Sequence, residues 1–185
     1  ILRGSSNLKV VGRLGVGLEN IDLPACAKRN IKVIPATGAN AESVAEYVVG
    51  AAVALTRGFF PATMATLKGE WPRPRFSGYH EFLGQTLGIV GFGSIGRVVA
   101  KKAHAFGLQC VAYDPMLSGD SIALDGFSVP LLQLNNLLSQ SDAVSLHLPY
   151  LPETKNLLNA VTLDQMKKGA CLINTSRGGI VDEIA

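Results

Sequence analysis

Short apolar runs alternate along this chain with longer stretches in which apolar residues recur at helical spacing. Lys9–Leu14 and Ile31–Ile34 read as strands, the second closed by Pro35. Between them lie the loop Gly15-Val16-Gly17 and Asp22, placed to cap a short helix through Pro24, Ala25 and Ala27. Residues 9–35 therefore predict a small βαβ unit. From Asn40 to Leu67, apolar or small residues at 44, 45, 48, 49, 51, 52, 54 and 55 cover most of a helix circumference. Such a helix is expected to be buried, in a core or against another subunit, and to be broken or kinked at Gly58 and Pro61. Lys68–Tyr79 carries Gly69, Pro72, Pro74 and Gly78 and predicts a loop, anchored by Trp71 and Phe76, with Arg73 and Arg75 on a solvated edge.

The second half is organised around one stretch. Leu87–Val90 is a short apolar run suited to a strand buried on both faces. Gly91, Gly93 and Gly96 follow as G-x-G-x-x-G, and Ile95, Val98, Val99 and Ala103 continue at helical spacing. The first glycine permits a tight turn, the second lets backbone approach a pyrophosphate, and the third lets helix pack closely on strand. The helix start presents unpaired N–H groups and a partial positive charge to such a phosphate. A second strand, Gln109–Tyr113, ends in Asp114, an acidic side chain about 20 residues past the glycines and suited to an adenosine ribose. Together these predict dinucleotide binding, with NAD favoured over NADP because the Asp114 carboxylate repels a 2′-phosphate.

Beyond that point strand and helix keep alternating. Ala143–Leu148 is a strand ending at Pro149, Thr154–Met166 a helix closed by Lys167-Lys168-Gly169, and Ala170–Asn174 the next strand. Residues 180–185 read as the start of a further helix. This is the pattern of an α/β protein with a Rossmann-type doubly wound parallel sheet. Ligands collect at the carboxyl ends of the strands in such sheets, which places Gly91–Gly96, Asp114, His147–Pro149 and Thr175–Arg177 on one face.

Composition narrows the classes. Of 185 residues, 48% are hydrophobic and only 17% charged, enough for a sizeable core. The net charge of +3 comes without a basic stripe, so nucleic acid is not implied. Cys26, Cys110 and Cys171 sit apart in apolar runs and read as buried thiols rather than a disulfide or metal framework. No apolar run reaches the roughly 18 residues of a membrane span, and Ile1–Ser6 lacks a signal-peptide pattern. The expectation is a cytoplasmic protein that engages no membrane and holds no metal.

Arg177 is the leading candidate for chemistry. A guanidinium just past a strand end, followed by glycines, can fork onto a carboxylate while polarising an adjacent carbonyl. The same position also suits an arginine that caps the strand or contacts a cofactor. His147 is open to two readings, an acid–base group or a packed histidine beside the cofactor. His80 and His104 lack an evident carboxylate partner, and Arg97, Lys101 and Lys102 fit a solvated helix face.

These stretches resemble the D-isomer-specific 2-hydroxyacid dehydrogenases, most closely the phosphoglycerate dehydrogenase and hydroxypyruvate reductase branch. The resemblance rests on Gly12–Asp22, Ser43–Glu46, Gly84–Arg97, Tyr113–Pro115, Leu146–Pro149, Pro152–Thr154 and Met166–Gly169, with the Ile173–Glu183 run the most specific. It implies that residues 1–38 end the first half of a flavodoxin-like substrate domain and that residues 39–185 form an NAD-binding domain truncated on its C-terminal side. It also implies a homodimer formed through the helical region 40–67. Carried over by position, Ser94 and Ile95 lie at the pyrophosphate and Asp114 at the ribose. His147, Leu148 and Pro149 border the adenine side, and Thr154 belongs to the same cofactor set. Thr175, Ser176 and Arg177 approach the nicotinamide half. Val16 faces cofactor and substrate, Gly17 the substrate carboxylate, and Arg177 matches the catalytic arginine. The family's catalytic glutamate and histidine are expected beyond Ala185, so these 185 residues alone are expected to bind NAD without turnover. The whole protein would interconvert a D-2-hydroxy acid and its 2-keto acid. Two other outcomes share the pattern: a non-catalytic NAD-sensing protein like the corepressors of this fold, and a relative acting on formate or phosphite.

Overall fold

The computed structural model describes residues 4–185, so the first half of the Ile1–Ser6 stretch lies outside it. The chain forms two compact units, Ile1–Ala41 and Glu42–Ala185. In the first, β1 (Val10–Arg13) and β2 (Lys32–Pro35) pair in parallel, Val10 opposite Lys32. The crossover is α1 (Leu23–Lys28). Asp22 caps it as expected, its Oδ1 accepting the Ala25 N–H at 2.9 Å, with Pro24 in the first turn where a missing N–H costs nothing. Asn30, in the left-handed region with φ 53°, then turns the chain into β2.

The second unit runs α2 (Ala41–Thr56), α3 (Phe59–Leu67), β3 (Thr86–Val90), α4 (Ser94–Ala105), β4 (Gln109–Tyr113), β5 (Ser121–Leu124), β6 (Phe127–Pro130), α5 (Leu134–Gln140), β7 (Ala143–Leu146), α6 (Ala160–Leu163) and β8 (Cys171–Asn174). Four strands form one parallel sheet in the order β4-β3-β7-β8. Chain order reverses between β3 and β7, which makes their carboxyl ends the switch point. Alternation along β3 divides the core. Leu87 and Ile89 pack with Val48, Ala52, Val99 and Ala103 of α2 and α4. On the other face, Val90 joins Leu137 and Leu138 of α5, Val144, Leu146 and Leu158. A parallel sheet covered on both faces must be apolar on both, and all of Leu87–Val90 is buried.

At the amino end of the sheet Asp142 ties three strands together. Its Oδ2 accepts the Thr86 N–H and its Oδ1 the Lys167 ammonium, each at 2.8 Å. Burial works against the charge on Asp142, but those two bonds and the charges of Lys167 and His80 outweigh it and hold the carboxyl below its usual range.

Several expectations need correction. The α2–α3 break lies at Gly58, in the left-handed region with φ 65°, whereas Pro61 sits in the first turn of α3 where it disturbs nothing. No single helix among the described residues is long and apolar enough to cross a membrane; α2 and α3 reach that length only together, bent by 64°. Helix α2 is buried on one face rather than all round, leaving Tyr47 and Leu55 exposed. Trp71 does not anchor its loop: it is 83% exposed, while Phe76 stacks on Tyr79 with ring centroids 5.3 Å apart. Thr154–Met166 is mostly turns, with α6 its only helical segment and Asn156 left-handed at φ 51°. Residues 180–185 form no helix; Val181 bridges to Leu158 and Ile180 is buried in the second core. The β5–β6 hairpin, turning at Asp125-Gly126, was not anticipated. It docks on α4 through a His104–Phe127 ring stack (3.9 Å) and a Lys101–Asp125 ion pair (2.8 Å). Lys102 pairs with Glu42 and Glu46, so two of the helix cations have partners. Cys26 and Cys110 are buried and Cys171 half-buried, all three as free thiols.

Helix α5 reaches β3 only because residue 88 is glycine. A Cβ there would lie 2.6 Å from Leu137 Cδ2 and 2.3 Å from Ser141 Oγ, which is itself pinned to the Leu137 carbonyl at 2.6 Å. Gly88→Ala is therefore expected to lower stability by about 1–3 kcal/mol in urea unfolding. An unchanged midpoint would mean that α5 is free to move away.

Candidate functional site

The site is assembled where β3 and β7 end side by side. Gly91 leaves β3 with φ 93°, and a Cβ on it would stand 2.6 Å from the His147 carbonyl oxygen. Only glycine combines that backbone conformation with that approach. A Cβ on Gly96 would stand 2.3 Å from the Gly91 carbonyl oxygen, so α4 rests on the turn itself. Gly93 differs: a Cβ there would meet nothing within 4 Å. Its backbone borders open space, and it precedes the first turn of α4, which no side chain caps. The N–H groups of Ser94, Ile95 and Gly96 thus start a twelve-residue helix with its positive dipole end facing that space.

Asp114 follows β4 and reaches back across the sheet end. Its Oδ2 accepts the Phe92 N–H at 2.8 Å and its Oδ1 the Met116 N–H at 3.0 Å. The carboxylate is thereby fixed beside the glycine turn, with lone pairs left for a hydroxyl donor. A cavity of about 430 Å³ opens next to it, lined by Tyr113, Pro115, Leu117, Leu131 and Gln133.

His147 continues β7, its N–H donating to the Val90 carbonyl at 2.7 Å. Its Nε2 shares a 2.8 Å hydrogen bond with Ser145 Oγ, and Ser145 is fully buried. Burial pushes the imidazole down to about 4, so the ring is neutral near pH 7 and packs against Ser145 beside the glycine turn's neighbouring strand end. Leu148 and Pro149 follow at the same end. Thr154 closes the next loop, its Oγ1 donating to the Pro149 carbonyl (2.7 Å) and accepting the Leu151 N–H (2.8 Å).

Thr175, Ser176 and Arg177 leave the end of β8 alongside. Ser176 Oγ donates to the Leu146 carbonyl at 2.6 Å, joining this loop to β7. Arg177 is half-buried and its Nη1 donates to the Ser176 carbonyl at 2.8 Å. Thr175 Oγ1 is buried without a hydrogen-bond partner, the one such side-chain atom among the described residues. A buried hydroxyl left unpaired is costly unless something else supplies the partner. Val16 and Gly17 belong to the first unit, just past β1. There Arg13 Nε donates to the Gly17 carbonyl and Nη1 to that of Leu14, both at 3.1 Å, while Gly15 takes φ 123°.

Every candidate of the second unit thus lies at the carboxyl end of one sheet or in the loops just beyond it. Sequence reasoning missed two contributors, Ser145 and Asn174. Ser145 carried a signal, two residues before His147 on the same face of a strand. The open space over Gly93, the uncapped helix start, the fixed carboxylate and the orphan hydroxyl together suit a dinucleotide. Among the described residues no group of His, Cys, Asp and Glu is arranged to hold a metal ion.

Comparison with known proteins agrees with that geometry. Residues 49–185 match the family described as D-isomer specific 2-hydroxyacid dehydrogenase, NAD binding domain. Over 179 residues the chain is 49% identical to the (S)-sulfolactate dehydrogenase of Chromohalobacter salexigens, covering 97% of this chain and 57% of that protein. It is 39% identical over its whole length to the hydroxypyruvate reductase of Thermotoga maritima, covering 58% of it. The NAD complex of Staphylococcus aureus formate dehydrogenase superposes with a TM-score of 0.83 at 36% identity, over 98% of this chain and 54% of the other. The chain therefore spans little more than half the length of these relatives.

The neutral histidine has a consequence for stability. In the unfolded chain His147 takes a proton near 6.5, but in the folded protein only near 4, so the unfolded state binds more protons in between. Stability is full above pH 6.5 and falls as the pH drops towards 4. The loss attributable to His147 between about pH 7.5 and pH 5 is expected to be roughly 2 kcal/mol, and absent in His147→Gln. Urea unfolding of both proteins at the two pH values checks this; parallel pH profiles would contradict it.

Proposed function

Because the chain belongs to the D-isomer-specific 2-hydroxyacid dehydrogenases, we propose that the whole protein is an NAD-dependent oxidoreductase that interconverts a small D-2-hydroxy acid and its 2-keto acid. Its substrates are of the sulfolactate, hydroxypyruvate or phosphoglycerate type, in line with its relatives. The observation that carries this reading is the meeting of the glycine turn, Asp114 and the Thr175–Arg177 loop at one end of one parallel sheet. NAD, when bound, supplies or accepts the hydride. The protein's own groups do the rest. The first-turn N–H groups of α4 hold the pyrophosphate, Asp114 accepts hydrogen bonds from the ribose, and Thr175 Oγ1 finds its partner on the nicotinamide side.

Arg177 binds the substrate carboxylate and polarises the neighbouring carbonyl. By the family resemblance, the proton at the substrate oxygen is handled by a histidine paired with a glutamate, both expected beyond Ala185, while His147 is half-buried and bonded to Ser145. Residues 1–38 contribute the Val16–Gly17 loop of the substrate domain. The protein pairs with a second copy through α2 and α3, which expose Tyr47, Phe59, Phe60, Met64 and Leu67. Its three free thiols suit a reducing, cytoplasmic setting.

Steady-state kinetics of the whole protein on a panel of 2-keto acids tests the reading. Arg177→Gln is expected to lower kcat/KM by on the order of 100-fold or more, with NADH affinity changed far less. Activity near the wild-type level in that variant would remove Arg177 from the chemistry. For the cofactor, Asp114→Ser is expected to weaken NADH binding by about tenfold and to narrow the preference over NADPH. A wild-type protein that used NADPH as well as NADH would contradict the role given to the carboxylate.

A further inference from the structure

Arg177 stands three residues beyond the last residue of β8, in no regular element, and carries a long side chain. A strand end by itself does not fix such a residue, because loop backbone is the softest part of a fold. Asn174 constrains the Arg177 backbone directly. Its Oδ1 accepts the N–H of Ser176 at 3.0 Å, and its Nδ2 donates to the carbonyl of Arg177 at 2.9 Å. One carboxamide therefore spans the backbone on both sides of the Ser176–Arg177 peptide. The first bond is an Asx turn, the side chain mimicking a backbone turn. The second locks its far end. Ser176 Oγ, held to the Leu146 carbonyl at 2.6 Å, fastens the same turn to β7. Arg177 Nη1 returns to the Ser176 carbonyl at 2.8 Å, so the guanidinium is bonded to the peptide that Asn174 flanks.

The residue type matters. The turn needs one acceptor and one donor on the same carbon of a short stem, and asparagine provides both. Aspartate keeps the acceptor but loses the donor and sets a charge against the Arg177 carbonyl; alanine loses both. Asn174 is exposed, so water competes for each bond and the net contribution to global stability is small. What the pair determines is the shape of one short segment.

We propose that Asn174 is a positioning residue for Arg177: by bonding the Ser176 N–H and the Arg177 carbonyl at once, it sets where the guanidinium stands at the end of β8. Its consequence for turnover rests on the dehydrogenase reading above. The test uses the whole protein with Asn174→Ala and Asn174→Asp, and four measurements: kcat and KM for a 2-keto acid, NADH affinity, melting temperature, and hydrogen exchange at the Ser176 amide. Both variants are expected to lose at least about tenfold in kcat/KM, while NADH affinity and melting temperature stay close to wild type. The Ser176 amide is expected to exchange faster in Asn174→Ala and to keep much of its protection in Asn174→Asp, which retains the acceptor. Wild-type turnover in Asn174→Ala, or a loss matched by equal losses in NADH affinity and melting temperature, would overturn the proposal. A wild-type protein that turned over no 2-keto or 2-hydroxy acid would instead overturn the dehydrogenase reading. The Ser176 exchange then decides the positioning claim alone: faster exchange in Asn174→Ala upholds it, and undiminished protection refutes it.

Discussion

Two backbone carbonyls press against two glycines, and the rest of the second unit is arranged around that contact. The His147 oxygen lies 2.6 Å from where a Cβ on Gly91 would be, and the Gly91 oxygen 2.3 Å from where a Cβ on Gly96 would be, both closer than real Cβ contacts come. The first contact brings the carboxyl ends of β3 and β7 together at the switch point of the sheet. The second seats α4 directly on the turn. Any side chain at 91 or 96 would push one of these elements outward, and a shift of about an ångström is enough to spoil a preorganised site. Gly93, between them, borders only open space, and the uncapped end of α4 faces the same way. A tight scaffold on two sides and an empty one on the third is what a phosphate-binding turn requires.

Around that scaffold the site is built from side-chain bonds that fix backbone. Asp114 holds the Phe92 and Met116 N–H groups, Ser176 holds the Leu146 carbonyl, and Asn174 holds both sides of the next peptide. The bonds to Met116, Ser176 N–H and the Arg177 carbonyl are local turns, whereas Asp114 to Phe92 and Ser176 to Leu146 join residues 22 and 30 positions apart and so tie neighbouring strand ends to each other. His147 belongs to the same scaffold. Its backbone carbonyl meets the glycine turn and its ring bonds Ser145 within β7, while Arg177 is the charged group of the second unit proposed to meet the substrate.

The elements legible from sequence were those in which pattern and turn chemistry agreed. For β3 and α4 an apolar run, three glycines and a 3.6-residue period all point one way. The β1–α1–β2 unit was legible because Asp22 and Pro24 mark a helix start and Pro35 a strand end. Where the signals were weak, the reading failed for identifiable reasons. Asp125-Gly126 is a two-residue hairpin turn, but its strands are four residues each and include Ser128 and Pro130, so little alternation survives. Helix α5 is seven residues, begins without a side-chain cap and contains two asparagines. In Thr154–Met166 the apolar spacing was real but the local chemistry won. Asn156 takes the left-handed region, and Asn159 with Thr162 forms a capping box that starts the helix late. Trp71 shows the limit of hydrophobicity as a guide, since an exposed indole on a proline-flanked loop packs on nothing described here. Asn174 lay inside a motif whose arginine drew the attention, although an asparagine two residues before a backbone donor is itself a turn signal.

In the proposed reading the Gly91–Gly96 turn and the start of α4 hold the pyrophosphate of NAD. The most direct measurement is a titration of these 185 residues with NADH, followed by amide resonances assigned along the chain. Saturable shifts are expected at Phe92–Gly96, together with Asp114 and Thr175, with little change at the amino end of the sheet around Asp142. Saturation with the glycine-turn amides unmoved, or shifts concentrated elsewhere, would contradict it.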